Sequence, residues 1–269
     1  MRIGIIAGNR SLPMLLAKRI REKSPHSNII VFAFRSETDP AIAKYADKVN
    51  WLDACKLQDL SEALEKEEIC DCIMIGQINP LRIFQKNKWD QQLKKIAFEA
   101  GDFRPHSIFS SIISFLELKG LKFLDSTSFL SDDLAEGGVM NGINISQGLQ
   151  KDIDFGKRMI RRYVDLDIGQ TIVVKGASVV ALESLEGTDQ TIKRAYRLAG
   201  RGCTVLKFCK KNQDLRFDVA VVGISTLNLL KSIKASCLVL EKKKVIILDK
   251  EKFLSLSKKW GIAVIASDF

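Results

Sequence analysis

Apolar residues along the chain fall into short runs separated by amphipathic stretches. Residues 2–7, Arg-Ile-Gly-Ile-Ile-Ala, form a first apolar run that stops at Gly8-Asn9. A basic amphipathic stretch opens at Leu15-Leu16-Ala17 and ends near Lys23, and a second apolar run covers residues 28–34. Strands covered on both faces read as unbroken apolar runs, so this rhythm predicts strand, helix, strand in a parallel sheet. Residues 46–51 predict another short strand, 57–67 a helix, and 71–76 a buried strand ending at Gly76. Residues 106–119 predict a helix with Ile108, Ile112, Ile113 and Leu116 on one face. A strand over 121–124 then leads into Asp125-Ser-Thr127. The alternation predicts an α/β, Rossmann-like N-terminal domain over residues 1–130.

The pattern changes over residues 131–148, where Gly137-Gly138 and Asn141-Gly142 break the periodicity and predict a linker. Residues 149–269 predict a second α/β domain with a mixed sheet. Its elements are a basic helix (155–165), a hairpin (171–175 and 178–182) turning at Gly176-Ala177, a helix from Asp189, and a strand over 203–208. A helix over 225–235, a hairpin turning at Glu241-Lys-Lys-Lys244, a helix over 250–259 and a strand over 262–266 complete it.

Composition narrows the function classes. The chain has 269 residues, 46% hydrophobic and 28% charged, which excludes a fibrous or wholly disordered protein. Its 42 Lys and Arg against 32 Asp and Glu give a net charge of +10, which points to an anionic partner: nucleic acid, a membrane surface or a phosphorylated small molecule. The six cysteines form no Cys-x-x-Cys pair and there are two histidines, a poor set for structural zinc. Cysteines within runs such as Cys72-Ile-Met-Ile75 read as buried free thiols. No apolar run reaches the ~20 residues of a membrane span, so the expectation is a soluble, cytoplasmic protein.

Three places carry candidate chemistry. Gly8-Asn9 lies at a strand-to-helix turn, where backbone can approach a phosphate, but the G-x-G-x-x-G fingerprint of dinucleotide sites is absent. Asp125-Ser-Thr127 reads either as a helix cap or as part of a site. The densest polar cluster is in the second half. Glu183-Ser-Leu-Glu-Gly-Thr-Asp189 follows a strand, and its carboxylates suit a hard divalent cation, although Thr188 or Asp189 also reads as a cap. In Asn212-Gln-Asp-Leu-Arg-Phe-Asp218, an extended backbone would put Asp214, Arg216 and Asp218 on one face. That trio is either a surface ion network or a metal or base group beside a phosphate clamp.

Taken in order, 166–175, 183–189 and 212–219 with Gly223 resemble the two-domain, metal-dependent UDP-2,3-diacylglucosamine pyrophosphatases of the lipid A pathway, the type distinct from the calcineurin-like phosphoesterases. Ala7-Gly-Asn9, Leu12-Pro13, Asp39-Pro40, Gly76 with Pro80, Gly101-Asp102 and Asp125-Ser-Thr127 fall in the same order. The resemblance implies hydrolysis of the substrate's diphosphate to UMP and 2,3-diacylglucosamine 1-phosphate, with Mg2+ or Mn2+. It implies catalytic and metal roles for Asp218 first and Asp214 beside it, Arg216 as phosphate clamp and Glu186 as a further ligand. It also implies substrate contacts at Gly8, Asn9, Gly76, Gln170, Thr188, Asp189 and Gln213. A homodimer and a peripheral place on the anionic face of the inner membrane belong to the same expectation. Arg10, Phe103 and Ala220 depart from the family pattern, which has glycine, an acid and proline there. The alternative is a nucleotide-sugar or phospholipid binding protein without turnover. Nucleic acid drops out, because the basic residues are spread over many elements and no binding motif is present.

Overall fold

The computed structural model describes residues 1–79, 86–101, 104–211 and 213–268. Pro80, Asp102, Phe103 and Asn212, all noted in the sequence, lie outside the described residues. The chain divides into two compact units. The first comprises Met1–Leu130 with Leu215–Asp218, and the second Ser131–Asp214 with Val219–Phe269.

In the first unit, β1 (Arg2–Ala7), β2 (Asn28–Phe34), β3 (Lys48–Leu52), β4 (Asp71–Ile75) and β5 (Lys122–Phe123) form one sheet in the order β3-β2-β1-β4-β5. Every pairing is parallel. The helices are α1 (Leu12–Lys23), α2 (Leu57–Lys66), α3 (Gln91–Glu99) and α4 (Pro105–Glu117). β1 and β2 are buried at every position but the first, as their unbroken apolar runs require. The order reverses at β1, so the carboxyl ends of β1 and β4 flank the place where open α/β sheets bind ligands.

Two glycines let those ends meet. A Cβ on Gly8 would lie 2.6 Å from the Gln77 carbonyl oxygen and 2.7 Å from the Gly76 carbonyl carbon. Both are backbone atoms that cannot swing aside. Gly8→Ala is therefore expected to cost about 1–3 kcal/mol and lower the urea midpoint. Gly137→Ala should be silent, since its Cβ meets only the flexible Lys242 side chain. Equal midpoints for Gly8→Ala and the wild type would disprove the close approach.

In the second unit, β6 (Gly138–Val139), β7 (Thr171–Lys175), β8 (Ser178–Leu182), β9 (Thr204–Lys207), β11 (Cys237–Glu241) and β13 (Ala263–Ser267) form a mixed sheet ordered β6-β13-β11-β9-β7-β8. Alternation sends its two faces to different partners. Ile172, Val174, Leu206 and Val239 pack with Ile153, Ile160 and Tyr163 of α5 (Gln147–Val164). Val173, Val205, Leu238 and Val264 pack with side chains of α6 (Thr188–Ala199), α7 (Ile224–Ser232) and α8 (Lys250–Lys259). Gly156 admits the close approach of α5, since a Cβ there would meet Leu206 Cδ1 at 2.5 Å.

The hairpin at Gly176-Ala177 is present, with positive φ at both residues as a two-residue hairpin turn requires. The hairpin expected at Glu241-Lys-Lys-Lys244 is not. β11 already has β9 and β13 as neighbours, so the chain leaves the sheet and β12 (Ile246–Ile247) pairs in parallel with β10 (Val221–Val222) instead. Residues 131–148, expected as a linker, belong to the second unit and supply β6, which pairs antiparallel with β13. Five of the six free cysteines are buried, Cys70 being the exposed one. No helix among the described residues is long and apolar enough to cross a membrane.

Candidate functional site

At the carboxyl ends of β1 and β4, the Gly8 N–H donates to the Ile75 carbonyl at 2.8 Å and the Asn9 N–H to the Gln77 carbonyl at 2.7 Å. Both donors are thus committed to the sheet, and the Asn9 side chain is the group left to meet a ligand. Its Nδ2 donates to Glu37 Oε2 at 2.9 Å, while its buried Oδ1 has no hydrogen-bond partner among the described residues. Glu37 also accepts the Asn79 N–H at 3.3 Å. A lone glutamate after an apolar strand gave no signal of this role. Gly76 has φ +91° and stands against Pro13 and the Asn9 carbonyl. Arg10 has φ +67°, a left-handed conformation that explains why glycine is favoured there.

The segment carrying Asp218 is not extended. Residues 215–217 form a turn, so the period-two argument that placed Asp214, Arg216 and Asp218 on one face does not apply. The Ser126 N–H donates to the Leu215 carbonyl at 2.9 Å. The Ser126 hydroxyl is shared between the carbonyls of Met74 (2.7 Å) and Arg216 (3.0 Å). Arg216 Nη1 donates to both Glu117 oxygens, at 2.9 and 3.0 Å. The Phe217 ring lies 5.2 Å from that of His106 and 5.8 Å from that of Phe109. Asp214 and Asp218 are half-buried, as is Gln213, whose Oε1 accepts the Lys210 N–H and whose buried Nε2 has no partner among the described residues. Asp125 caps a turn rather than a helix, its Oδ1 accepting from the N–H and hydroxyl of Thr127 at 2.7 Å each.

The second unit gathers a buried polar cluster around the start of α6. Lys207 Nζ, on a residue 5% exposed, donates to Thr188 Oγ1 at 2.7 Å. Thr188 donates in turn to Glu183 Oε1 at 3.1 Å and lies 3.2 Å from Thr171 Oγ1. Glu183 is 7% exposed, and among the described residues its Oε2 has no partner, nor do Tyr163 Oη and Gln170 Oε1. Burial, then the Glu183 charge, pushes the Tyr163 phenol up to about 12, so it stays protonated and able to donate. Gly169 fits here because a Cβ would meet Tyr163 Oη and the Glu183 carbonyl oxygen. In the sequence Lys207 falls within the strand expected over 203–208, with nothing to mark this role.

Glu186 is spent otherwise. It accepts from Arg194, from the Ser184 N–H at 3.0 Å and from Thr191 Oγ1 at 3.3 Å, and the Arg194 bond holds its carboxyl below the usual range. Asp189 is exposed and accepts from Thr226 Oγ1 at 3.4 Å. Gln170, Thr188 and Glu186 thus lie in the second unit, and Gly8, Asn9, Gly76 and Arg216 in the first. Asp214 and Asp218 fall in different units. Among the described residues, no group of three or more His, Cys, Asp or Glu side chains is gathered to hold a metal ion.

A parallel-sheet unit with a ligand-competent strand-end turn, joined to a mixed-sheet unit with unpartnered buried polar groups, defines a two-part α/β protein built to bind a polar ligand. Residues 2–133 match the LpxI N-terminal domain and residues 136–265 the LpxI C-terminal domain. The chain belongs to the LpxI family. It is also 24% identical to the UDP-2,3-diacylglucosamine pyrophosphatase LpxI of Caulobacter vibrioides, over 99% of this chain and 98% of that protein.

Proposed function

We propose that this protein hydrolyses the diphosphate bond of UDP-2,3-diacylglucosamine, giving UMP and 2,3-diacylglucosamine 1-phosphate for lipid A synthesis. The end-to-end correspondence with a pyrophosphatase of that substrate carries the reading, since both units are matched and neither chain has a large unmatched part. Asp218 and Asp214 act on the diphosphate. Asn9 and the Gly8–Gly76 turn are the candidate substrate contacts of the first unit, and Gln170, Thr188, Asp189 and Gln213 those of the second. Purified protein with substrate should release UMP. A protein that binds the substrate and releases none is a binding protein, and that result overturns the proposal.

Mg2+ or Mn2+ belongs to the same proposal. Two half-buried aspartates suit such an ion, which takes one or two carboxylates and completes its shell with phosphate oxygens and water. Glu186 does not fit, because its carboxylate is already held by Arg194, Ser184 and Thr191. Asp218, with Asp214 four residues before it, would hold the ion, which when bound would lower the charge cost of attack at phosphorus.

A lipid-linked substrate also calls for contact with a membrane. Lys157, Arg158, Arg161 and Arg162, with Asp154, line one recess on α5, and Leu166 and Ile168 are exposed just beyond its end. Basic residues near an anionic surface contribute roughly 1 kcal/mol each. The protein should float with phosphatidylglycerol vesicles and not with phosphatidylcholine vesicles, and Arg161→Glu with Arg162→Glu should weaken flotation several-fold. Equal flotation with both lipids would rule this face out.

A further inference from the structure

We infer that Glu117 and Ser126 are positioning residues for Asp218, and that Arg216 fastens its own turn instead of contacting the diphosphate. The inference rests on the proposed reading, in which Asp218 acts on that diphosphate. Asp218 directly follows the 215–217 turn, so whatever fixes the turn fixes the carboxylate.

Three independent contacts fix it. Ser126 is completely buried, and its N–H and hydroxyl meet two successive carbonyls, those of Leu215 and Arg216. Few single residues can offer an N–H and an O–H in one direction, and serine does so without bulk. Asp125 stiffens the ground beneath it by accepting from both the N–H and the hydroxyl of Thr127. Phe217 is seated against His106 and Phe109 of α4. Arg216 reaches Glu117, on the last turn of that same helix, with one guanidinium nitrogen shared by both carboxylate oxygens.

That arrangement changes the meaning of two motifs. Asp125-Ser-Thr127 is a latch for a segment about ninety residues away, which explains serine at its centre. The arginine of the Asp-Leu-Arg-Phe-Asp segment is already paired with a half-buried carboxylate, and a phosphate would have to displace Glu117 to claim that nitrogen. Positioning of this kind acts on turnover: a shift of about 1 Å in a reacting group costs up to about 100-fold.

The test compares Glu117→Gln, Arg216→Gln, Ser126→Ala and the exchanged pair Glu117→Arg with Arg216→Glu. UMP release gives kcat and KM, and amide exchange of the 213–222 peptide reports how firmly the turn is held. Glu117→Gln and Arg216→Gln should each lower kcat about 10–100-fold with KM unchanged, and exchange of the peptide should quicken. The exchanged pair should restore most of kcat and slow the exchange again. If it restores the exchange but leaves kcat as low as Arg216→Gln, Arg216 touches the substrate and its assignment as a fastening is overturned. Unaltered exchange in both Glu117→Gln and Ser126→Ala overturns the positioning role. That readout needs no turnover, so it decides the matter even if the wild type releases no UMP, a result that would instead sink the proposed reaction.

Discussion

Asp218→Asn lowers UMP release by at least about 100-fold while the protein unfolds at the wild-type temperature. Asparagine keeps the volume and one oxygen of the side chain but removes its charge, which is the property a cation or an attacking water needs. Asp218 is half-buried at the end of a turn held by Ser126, Arg216 and Phe217. Those contacts support the turn in the variant as well, so the larger effect is expected on turnover. Steady-state rates and a thermal melt on the same preparation make the comparison. Near-normal turnover in Asp218→Asn would remove Asp218 from the mechanism. Asp214→Asn is the companion variant, expected to fall in the same direction.

The second large effect is on stability. Lys207→Met should destabilise the protein by about 3 kcal/mol, because breaking a buried charge network from one side leaves the other charge uncompensated. Lys207 and Glu183 are both nine-tenths buried and meet on one hydroxyl, that of Thr188. Without the ammonium, the Glu183 carboxylate stays buried with Oε2 already unpartnered. For a chain of this size the loss corresponds to roughly 6–12 °C in Tm. Adding Glu183→Gln to Lys207→Met should recover most of it, since neither charge of the pair then remains. A melt of Lys207→Met that overlays the wild type would show that the pair is not coupled.

The parallel first sheet was legible because β1, β2 and β4 are buried on both faces and so spell themselves as apolar runs. The Gly176-Ala177 hairpin was legible from its spacing, two five-residue strands separated by two residues of which the first is glycine. Glu241-Lys-Lys-Lys244 misled, since a polar turn between apolar runs looks the same whether the next strand returns to its neighbour or goes elsewhere. Only the burial of β11 between β9 and β13 decides that. Around the candidate residues, the partners from distant parts of the chain were not readable. Arg216 meets Glu117 across ninety-nine positions, and Asn9 meets Glu37 across twenty-eight. The same-face reading of Asp214, Arg216 and Asp218 failed because it assumed an extended backbone, whereas Ser126 bends that stretch into a turn.

Leu215–Asp218 belongs to the first unit although the chain on either side of it belongs to the second. During synthesis, residues 1–130 leave the ribosome with the buried Ser126 N–H and the aromatic seat on α4 unfilled. The first unit closes only after some eighty further residues have been made, so the two halves of the chain cannot mature as strangers. The last piece of the earlier unit arrives with the residue proposed to do the chemistry, which makes completion of that fold and arrival of Asp218 a single event.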